Sequence, residues 1–442
     1  MTYTYVITGG TTPNGVQTDV AIDANGTIAQ LGQELATAGA EVIDATGKIV
    51  LPGLVDLHTH LREPGNDDAE TVETGTRAAA KGGFTAVHAM ANSNPVADTA
   101  GVVEQVHRLG RASGWTDVYP VGAVTVGLKG EQLAEISAMH DSAAEVTMFS
   151  DDGMCVWDPV LMRRALEYVK SFDGFIAQHA QEPRLTEGAQ MNESALSSEL
   201  GLAGWPAVAE ESIIARDVLL AQHVNSRVHI CHVSTAGSVE LIRWAKSQGI
   251  NVTAEVTPHH LLLTEDYVKT YDPVYKVNPP LRKDSDVHAL RQGLADGTID
   301  TVGTDHAPHT AETKQCEWVV AAMGMTGLET ALPVIQRTMI DTGLLDWHAV
   351  ARVMSVNPAA IYRHTDQGQL TDSGSLVQGA VANLAIYDPN HTFVVNPAQH
   401  ASKSANSPYK DMELSGQVTD VFYRGHRVVA DAELTTPYQH SY

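Results

Sequence analysis

The pattern of apolar and polar positions divides the chain into three stretches. In the first fifty residues, Tyr3–Ile7, Thr18–Ile22, Thr27–Leu31 and Glu41–Asp44 alternate or stay apolar between Gly, Asn and Asp turns. Runs of this kind read as short strands. The end of the chain repeats the style at Ala382–Asp388, Gln417–Tyr423 and His426–Ala430. Between these ends, β-prone runs alternate with helix-period segments. The predicted strands are residues 50–57, Phe84–Met90, Asp117–Val124, Glu145–Phe149, Gly174–Gln178, Arg227–Cys231, Asn251–Val256 and Ile299–Gly303. Predicted helices between them include Glu70–Lys81, Pro159–Lys170, Ala207–His223, Thr235–Lys246 and Ser285–Leu294. Strand–helix units of this number predict an α/β fold of the (β/α)8 TIM-barrel type rather than an open doubly wound sheet. Chain termini often lie close together, so the two β-rich ends predict one small β-sandwich domain. The expected division is residues 1–50 plus 375–442 for that domain, and 51–374 for the barrel.

Composition narrows the functional classes. The 442 residues suffice for a large core and a smaller companion domain. No segment approaches the roughly 18 uninterrupted apolar residues of a membrane span. The first residues lack a basic stretch followed by an apolar core, so no secretory signal is expected and a cytoplasmic location is. The net charge of −25 argues against nucleic acid or an anionic membrane as partner. Cys155, Cys231 and Cys316 are three and scattered, which implies no disulfide framework.

The chemistry lies where the predicted strands end. In a (β/α)8 barrel, catalytic groups come from the C-terminal strand ends. The first strand ends in His58-Thr-His60-Leu-Arg62. Side chains two apart in a strand share a face, so His58 and His60 point together, and Arg62 continues that face as an anion holder. The second strand leads to Asn92, the fourth to Asp151-Asp152, the fifth to His179 and the sixth to His232. The seventh leads to His259-His260 and on to Asn278; the eighth ends in Asp305-His306 and His309. Taken singly, His179 or His232 reads as a hydrogen-bonded structural histidine, and Asp152 as a helix cap. Together, His58, His60, Asp152, His179, His232 and Asp305 form a nitrogen and carboxylate donor set suited to zinc, or to manganese, cobalt or iron. Six donors are too many for one tetrahedral ion and suit two neighbouring ions.

Several stretches resemble the amidohydrolase superfamily and, within it, the bacterial class I dihydroorotase family. They are Pro52–Gly65, Phe149–Gly153, Ile230–Thr235, Val252–Leu261, Lys276–Arg282 and Gly303–His309. The resemblance implies a metal-dependent, reversible cyclisation of N-carbamoyl-L-aspartate to L-dihydroorotate in de novo pyrimidine biosynthesis. It implies two Zn2+ ions per subunit, one on His58, His60 and Asp305, the other on His179 and His232. A carboxylate of the Asp-Asp-Gly stretch would bridge them. Asp152 is chosen over Asp151 because its spacing to His179 fits the family better. Asp305 would move the proton. Arg62, Asn92, Asn278 and His309 would bind substrate beside His60, with backbone contacts near Met323 and Gly324. A homodimer is expected, and association with aspartate carbamoyltransferase is compatible with it.

Related dihydropyrimidinases, hydantoinases and allantoinases are the alternative. Hydantoinases and allantoinases bridge their metals with a modified lysine at the fourth strand end, where this chain has Ser150-Asp151-Asp152. A further alternative, an inactive scaffold for aspartate carbamoyltransferase, fits poorly with a complete ligand set. The chain departs from the family at Ala322-Met323-Gly324, where Pro-Phe-Gly is frequent, and at Asn383, where Asp is usual. The loop from His309 to Gly324 is a candidate cover for the substrate. His259, His260 and His306 are expected to be supporting rather than ligating residues, and Cys155 has no base to make it a nucleophile.

Overall fold

The computed structural model describes residues 3–362, 365–366, 369–370 and 376–440. Leu54–Thr59 is buried along its whole length, as are Phe84–Ala89 and Phe175–Gln178. Continuous rather than alternating apolar runs suit parallel strands covered on both faces. Leu54–Thr59, Phe84–Ala89 and Asp117–Pro120 pair in parallel. Met148–Phe149, Phe175–Gln178, Arg227–Ile230, Val252–Val256 and Thr301–Val302 form a second parallel set in that order. Parallel bridges Gly122 to Phe149 and Thr59 to His306 join the two sets. Asp56 spans the second of these seams, accepting from the backbone N–H of His58 at 3.0 Å and of Thr304 at 3.1 Å. All eight predicted strands are present in barrel order, seven of them within the predicted ranges and the first, Leu54–Thr59, running two residues past its predicted end.

The five predicted helices form within a few residues of expectation, as Val72–Lys81, Pro159–Val169, Val208–Val224, Ala236–Ser247 and Asp284–Asp296. Accepting side-chain caps, Thr71, Asp158 and Thr235, start three of them. Asp158 accepts from Leu161 N at 2.8 Å, and Thr235 from Ser238 N at 3.0 Å. A further helix, Ala100–Ser113, packs on the third strand at Gly110, where a Cβ would stand 2.4 Å from Val118 Cβ.

One expected strand divides. Residues 50–57 were predicted as one strand, but Ile49–Pro52 and Leu54–Thr59 belong to different sheets. Gly53 is the pivot. A Cβ there would lie 2.1 Å from Thr85 Oγ1, and its N–H donates to Asn383 O at 2.9 Å. Ile49–Pro52 pairs antiparallel with Leu384–Val394, so the two ends of the chain share a sheet. Among the described residues that sheet has nine strands, ordered from Glu433–Leu434 through His426–Ala430, Glu413–Tyr423, Leu384–Val394, Ile49–Pro52, Tyr5–Thr11 and Gln17–Ile22 to Ile28–Gly32, with Glu41–Asp44 also on Tyr5–Thr11. Its core includes Ile7, Val20, Ile22, Ile28, Val50, Ile386 and Phe422. Asn383 tethers this sheet, its Oδ1 accepting from Arg424 N at 2.7 Å. The expected domain limit at 374/375 lies outside the described residues.

The segment between Leu384–Val394 and Glu413–Tyr423 leaves the sheet and reaches the barrel. Ser402 Oγ donates to Glu70, and Lys403 N donates to Glu70 Oε1 at 2.9 Å. No described helix is long and apolar enough to cross a membrane.

Candidate active site

The strand ends deliver their polar side chains to one buried cluster. Asp152 Oδ1 lies 3.3 Å from His58 Nε2, 3.2 Å from His232 Nε2 and 3.3 Å from His179 Nδ1. Its other oxygen lies 3.3 Å from His60 Nε2. Asp305 Oδ1 is 3.0 Å from His60 Nε2 and 3.6 Å from His58 Nε2. All six side chains are buried. His232 and Asp305 take positive φ, at 30° and 46°, just beyond their strands. Non-glycine residues held there need support from their surroundings, and such strain gathers at functional sites.

The outer nitrogens of three rings have acceptors. His58 Nδ1 donates to Glu255 Oε1 at 2.5 Å, His60 Nδ1 to Asn92 Oδ1 at 2.9 Å, and His179 Nε2 to Gln181 Oε1 at 2.7 Å. Each bond leaves the inner nitrogen turned toward the carboxylates. Buried His58 Nε2 has no hydrogen-bond partner. Histidine metal ligands commonly show this arrangement, with the outer N–H held and the inner lone pair free. His58, His60 and Asp152 bring one donor atom each within 4.8 Å of one another, as do Asp152, His179 and His232. The two groups share Asp152. This donor set fits a divalent metal.

The charges agree. Burial pushes Asp152 and Asp305 upward, but the surrounding histidines outweigh it and hold both carboxyls below the usual range. Burial disfavours a charge on His58, yet Asp152 and Glu255 raise its pKa well above the ordinary value. A divalent cation would take over that attraction. His60 goes the other way, lowered by burial and by Arg62 despite its bond to Asp305.

Asp151, next to Asp152, faces elsewhere. It accepts from Val124 N at 2.8 Å, Thr125 N at 2.9 Å and the Thr125 hydroxyl. Sequence reasoning missed Glu255 and Gln181. Glu255 was visible as one acid inside an apolar strand; its second oxygen lies 3.3 Å from His229 Nε2. Gln181 gave no signal, and its Oε1 also accepts from Asn278 Nδ2 at 3.0 Å.

Arg62, Asn92, Asn278, His309 and Met323 are half-buried. Arg62 has a φ of 62°, and its Nε donates to Pro308 O at 3.0 Å. Among the described residues, no carboxylate lies within ion-pair distance of it. Burial lowers its pKa to about 10, which leaves a cation at neutral pH. His309 Nε2 donates to Met323 O at 2.8 Å, so it cannot also accept from the Arg62 nitrogen 3.4 Å away. Burial, with Arg62 and Lys314, pushes His309 down to about 3, and the ring is neutral. Gly324 N already donates to Lys276 O at 3.0 Å.

Of the remaining flagged residues, His306 and His260 have supporting contacts. His306 Nε2 is 3.2 Å from Glu70 Oε2. His260 lies 2.7 Å from Thr257 Oγ1 and 3.1 Å from Pro279 O through its two nitrogens. His259 is buried with Nε2 unpartnered, and burial lowers it to about 4. Burial pushes the Cys155 thiol up to about 12, which makes it a poor nucleophile.

Comparison with known proteins places the chain. A family model described as Dihydro-orotase-like matches residues 47–238. The dihydroorotase of Streptomyces coelicolor is 64% identical over 431 residues, covering 97% of this chain and 99% of that protein. The dihydroorotase of Mycobacterium tuberculosis is 55% identical over 421 residues, covering 95% and 96%. Among solved structures, an L-hydantoinase (dihydropyrimidinase) from Arthrobacter aurescens has a TM-score of 0.86 at 25% identity, with 98% of both chains covered. A dihydropyrimidinase from Brevibacillus agri has a TM-score of 0.85 at 24% identity, covering 98% of this chain and 97% of that one. The structural matches show the fold, a TIM-type barrel with a β domain, and the near full-length identities are more specific: the chain belongs to the dihydroorotase family.

Proposed function

We propose that this protein catalyses the reversible cyclisation of N-carbamoyl-L-aspartate to L-dihydroorotate, the ring-closing step of de novo pyrimidine biosynthesis. The observation that carries this reading is Arg62, a half-buried cation beside the buried histidine and aspartate cluster, with no carboxylate partner among the described residues. Both compounds carry an α-carboxylate, and a guanidinium fork matches it. Asp152, with no lysine at the fourth strand end, favours this reaction over those of the hydantoinase relatives. The names of the sequence relatives support the same choice.

His58, His60 and Asp305 would hold one divalent ion and His179 and His232 a second, with Asp152 between them. Zinc is the ion expected. When bound, such ions supply Lewis acidity toward the carbonyl and make water nucleophilic near neutral pH. Arg62, Asn92, Asn278 and His309 orient the substrate. Asp305, kept ionised by its histidines, serves as the base. In the cyclising direction it takes a proton from the carbamoyl nitrogen as that nitrogen attacks the side-chain carboxyl carbon, and passes it to the departing carboxyl oxygen; with a second proton taken up from solvent, that oxygen leaves as water. In the hydrolytic direction it takes a proton from the attacking water and returns it to the ring nitrogen. The homodimer and an association with aspartate carbamoyltransferase rest on the family resemblance alone, and the cytoplasmic location is carried over from the sequence reading. The division into a terminal β domain and a catalytic barrel is supported by the shared sheet of the two chain ends.

Four outcomes test this reading. Purified, zinc-loaded protein converts L-dihydroorotate to N-carbamoyl-L-aspartate and loses this activity to a chelator, while hydantoin and allantoin in parallel wells remain unchanged; turnover of either in place of dihydroorotate would reassign the substrate. Asp305→Asn lowers kcat by roughly 10²–10⁴-fold with metal still bound, and a near-normal rate would remove Asp305 as base. Arg62→Met lowers kcat/KM by about 1.5–3 kcal/mol, the range of a hydrogen bond to a charged group; unchanged kinetics would take Arg62 out of the site. Elemental analysis of Asp152→Ala shows reduced metal content, whereas Asp151→Ala keeps it; the reverse pattern would exchange their roles.

A further inference from the structure

The segment that leaves the terminal sheet is polar, yet it is buried. Ser402, Ser404, Asn406 and Ser407 are all buried. Within this excursion, Asn406 meets the barrel mouth. Its Oδ1 accepts from His309 N at 3.1 Å. Its Nδ2 donates to Ala307 O at 3.0 Å and to Gly324 O at 3.2 Å. The opposite amide orientation would set an oxygen against two carbonyls, so the assignment is unambiguous. The backbone carbonyl of Asn406 also accepts from Thr326 N at 3.1 Å.

These bonds join the two loops that meet at His309. The ring of His309 donates to Met323 O at 2.8 Å, and its backbone N–H is held by Asn406. Gly324 presses on the same ring: a Cβ there would stand 2.7 Å from His309 Nε2. Thus His309 is fixed at both ends, once through Met323 and once through Asn406, and Asn406 also fixes Gly324. A small change in the placement of a binding group is costly, because its geometry is part of its affinity.

We propose that Asn406 is a positioning residue for the substrate, acting through His309. The proposal rests on the reading above, in which His309 binds the substrate. The purely structural alternative is that Asn406 only satisfies buried carbonyls. A double-mutant cycle separates the two.

KM and kcat for L-dihydroorotate are measured for the wild type, Asn406→Ala, His309→Ala and the double variant, with metal content measured on each. Asn406→Ala raises KM roughly tenfold, the equivalent of about 1.4 kcal/mol, lowers kcat less, and leaves metal content unchanged. In the His309→Ala background the same change costs less than about twofold, because the group it positions is gone. Asn406→Ser, which keeps a polar group too short to span the three partners, runs in the same cycle and replaces the alanine variant if that fails to fold. An equal penalty in both backgrounds, or none in either, overturns the proposal. An unchanged KM for His309→Ala alone brings down the substrate role of His309 and the proposal with it. A large effect of His309→Ala with none from Asn406→Ala brings down the proposal alone.

Discussion

Two parallel bridges, Thr59 to His306 and Gly122 to Phe149, close the ring of strands, and the candidate site exists because they do. Parallel strands all end on the same rim. Closure therefore converts residues far apart in sequence into neighbours. His58 and Asp305 are 247 positions apart in the numbering and 3.6 Å apart at the cluster. Asp56 reinforces this seam from beneath, with burial raising its carboxyl to about 7 while Thr304 and the His58 N–H draw it down.

Closure also buries charge, and buried charge needs partners. The inner nitrogens and carboxylates face one another. The outer nitrogens are held by Glu255, Asn92 and Gln181. That second layer fixes which nitrogen of each ring carries its proton, and so which one is free to bind a cation. Arg62 stands apart from it, cationic and without a carboxylate partner among the described residues, which separates an anion-receiving edge from the cluster itself.

The terminal domain is coupled to this edge. Its sheet is built from both chain ends, but an excursion from it holds Glu70 and the loops around His309. Glu70 in turn faces His306, the residue that closes the barrel. The domain thus supports the barrel mouth directly, through hydrogen bonds that a boundary drawn from composition does not reveal.

The sequence alone determined the class of fold, because alternating strand and helix periods are local and survive any tertiary arrangement. It also brought out the strand-end donors, since a His-x-His pair places both rings on one face. The family resemblance, through the spacing to His179, favoured Asp152 over Asp151; the structure puts Asp152 among the histidines and gives Asp151 to the Thr125 turn. Tertiary structure decided the rest. The division of residues 50–57 at Gly53 depends on Thr85 pressing against a glycine from another strand. Glu255 and Gln181 acquire their roles only from the neighbours that barrel closure provides. Asn406 lies 97 positions from His309 in a loop with no periodicity, so only the folded chain could show that its amide holds the imidazole's backbone. Local patterning encodes elements; the hydrogen bonds that orient a site are made between elements, and their geometry comes from packing.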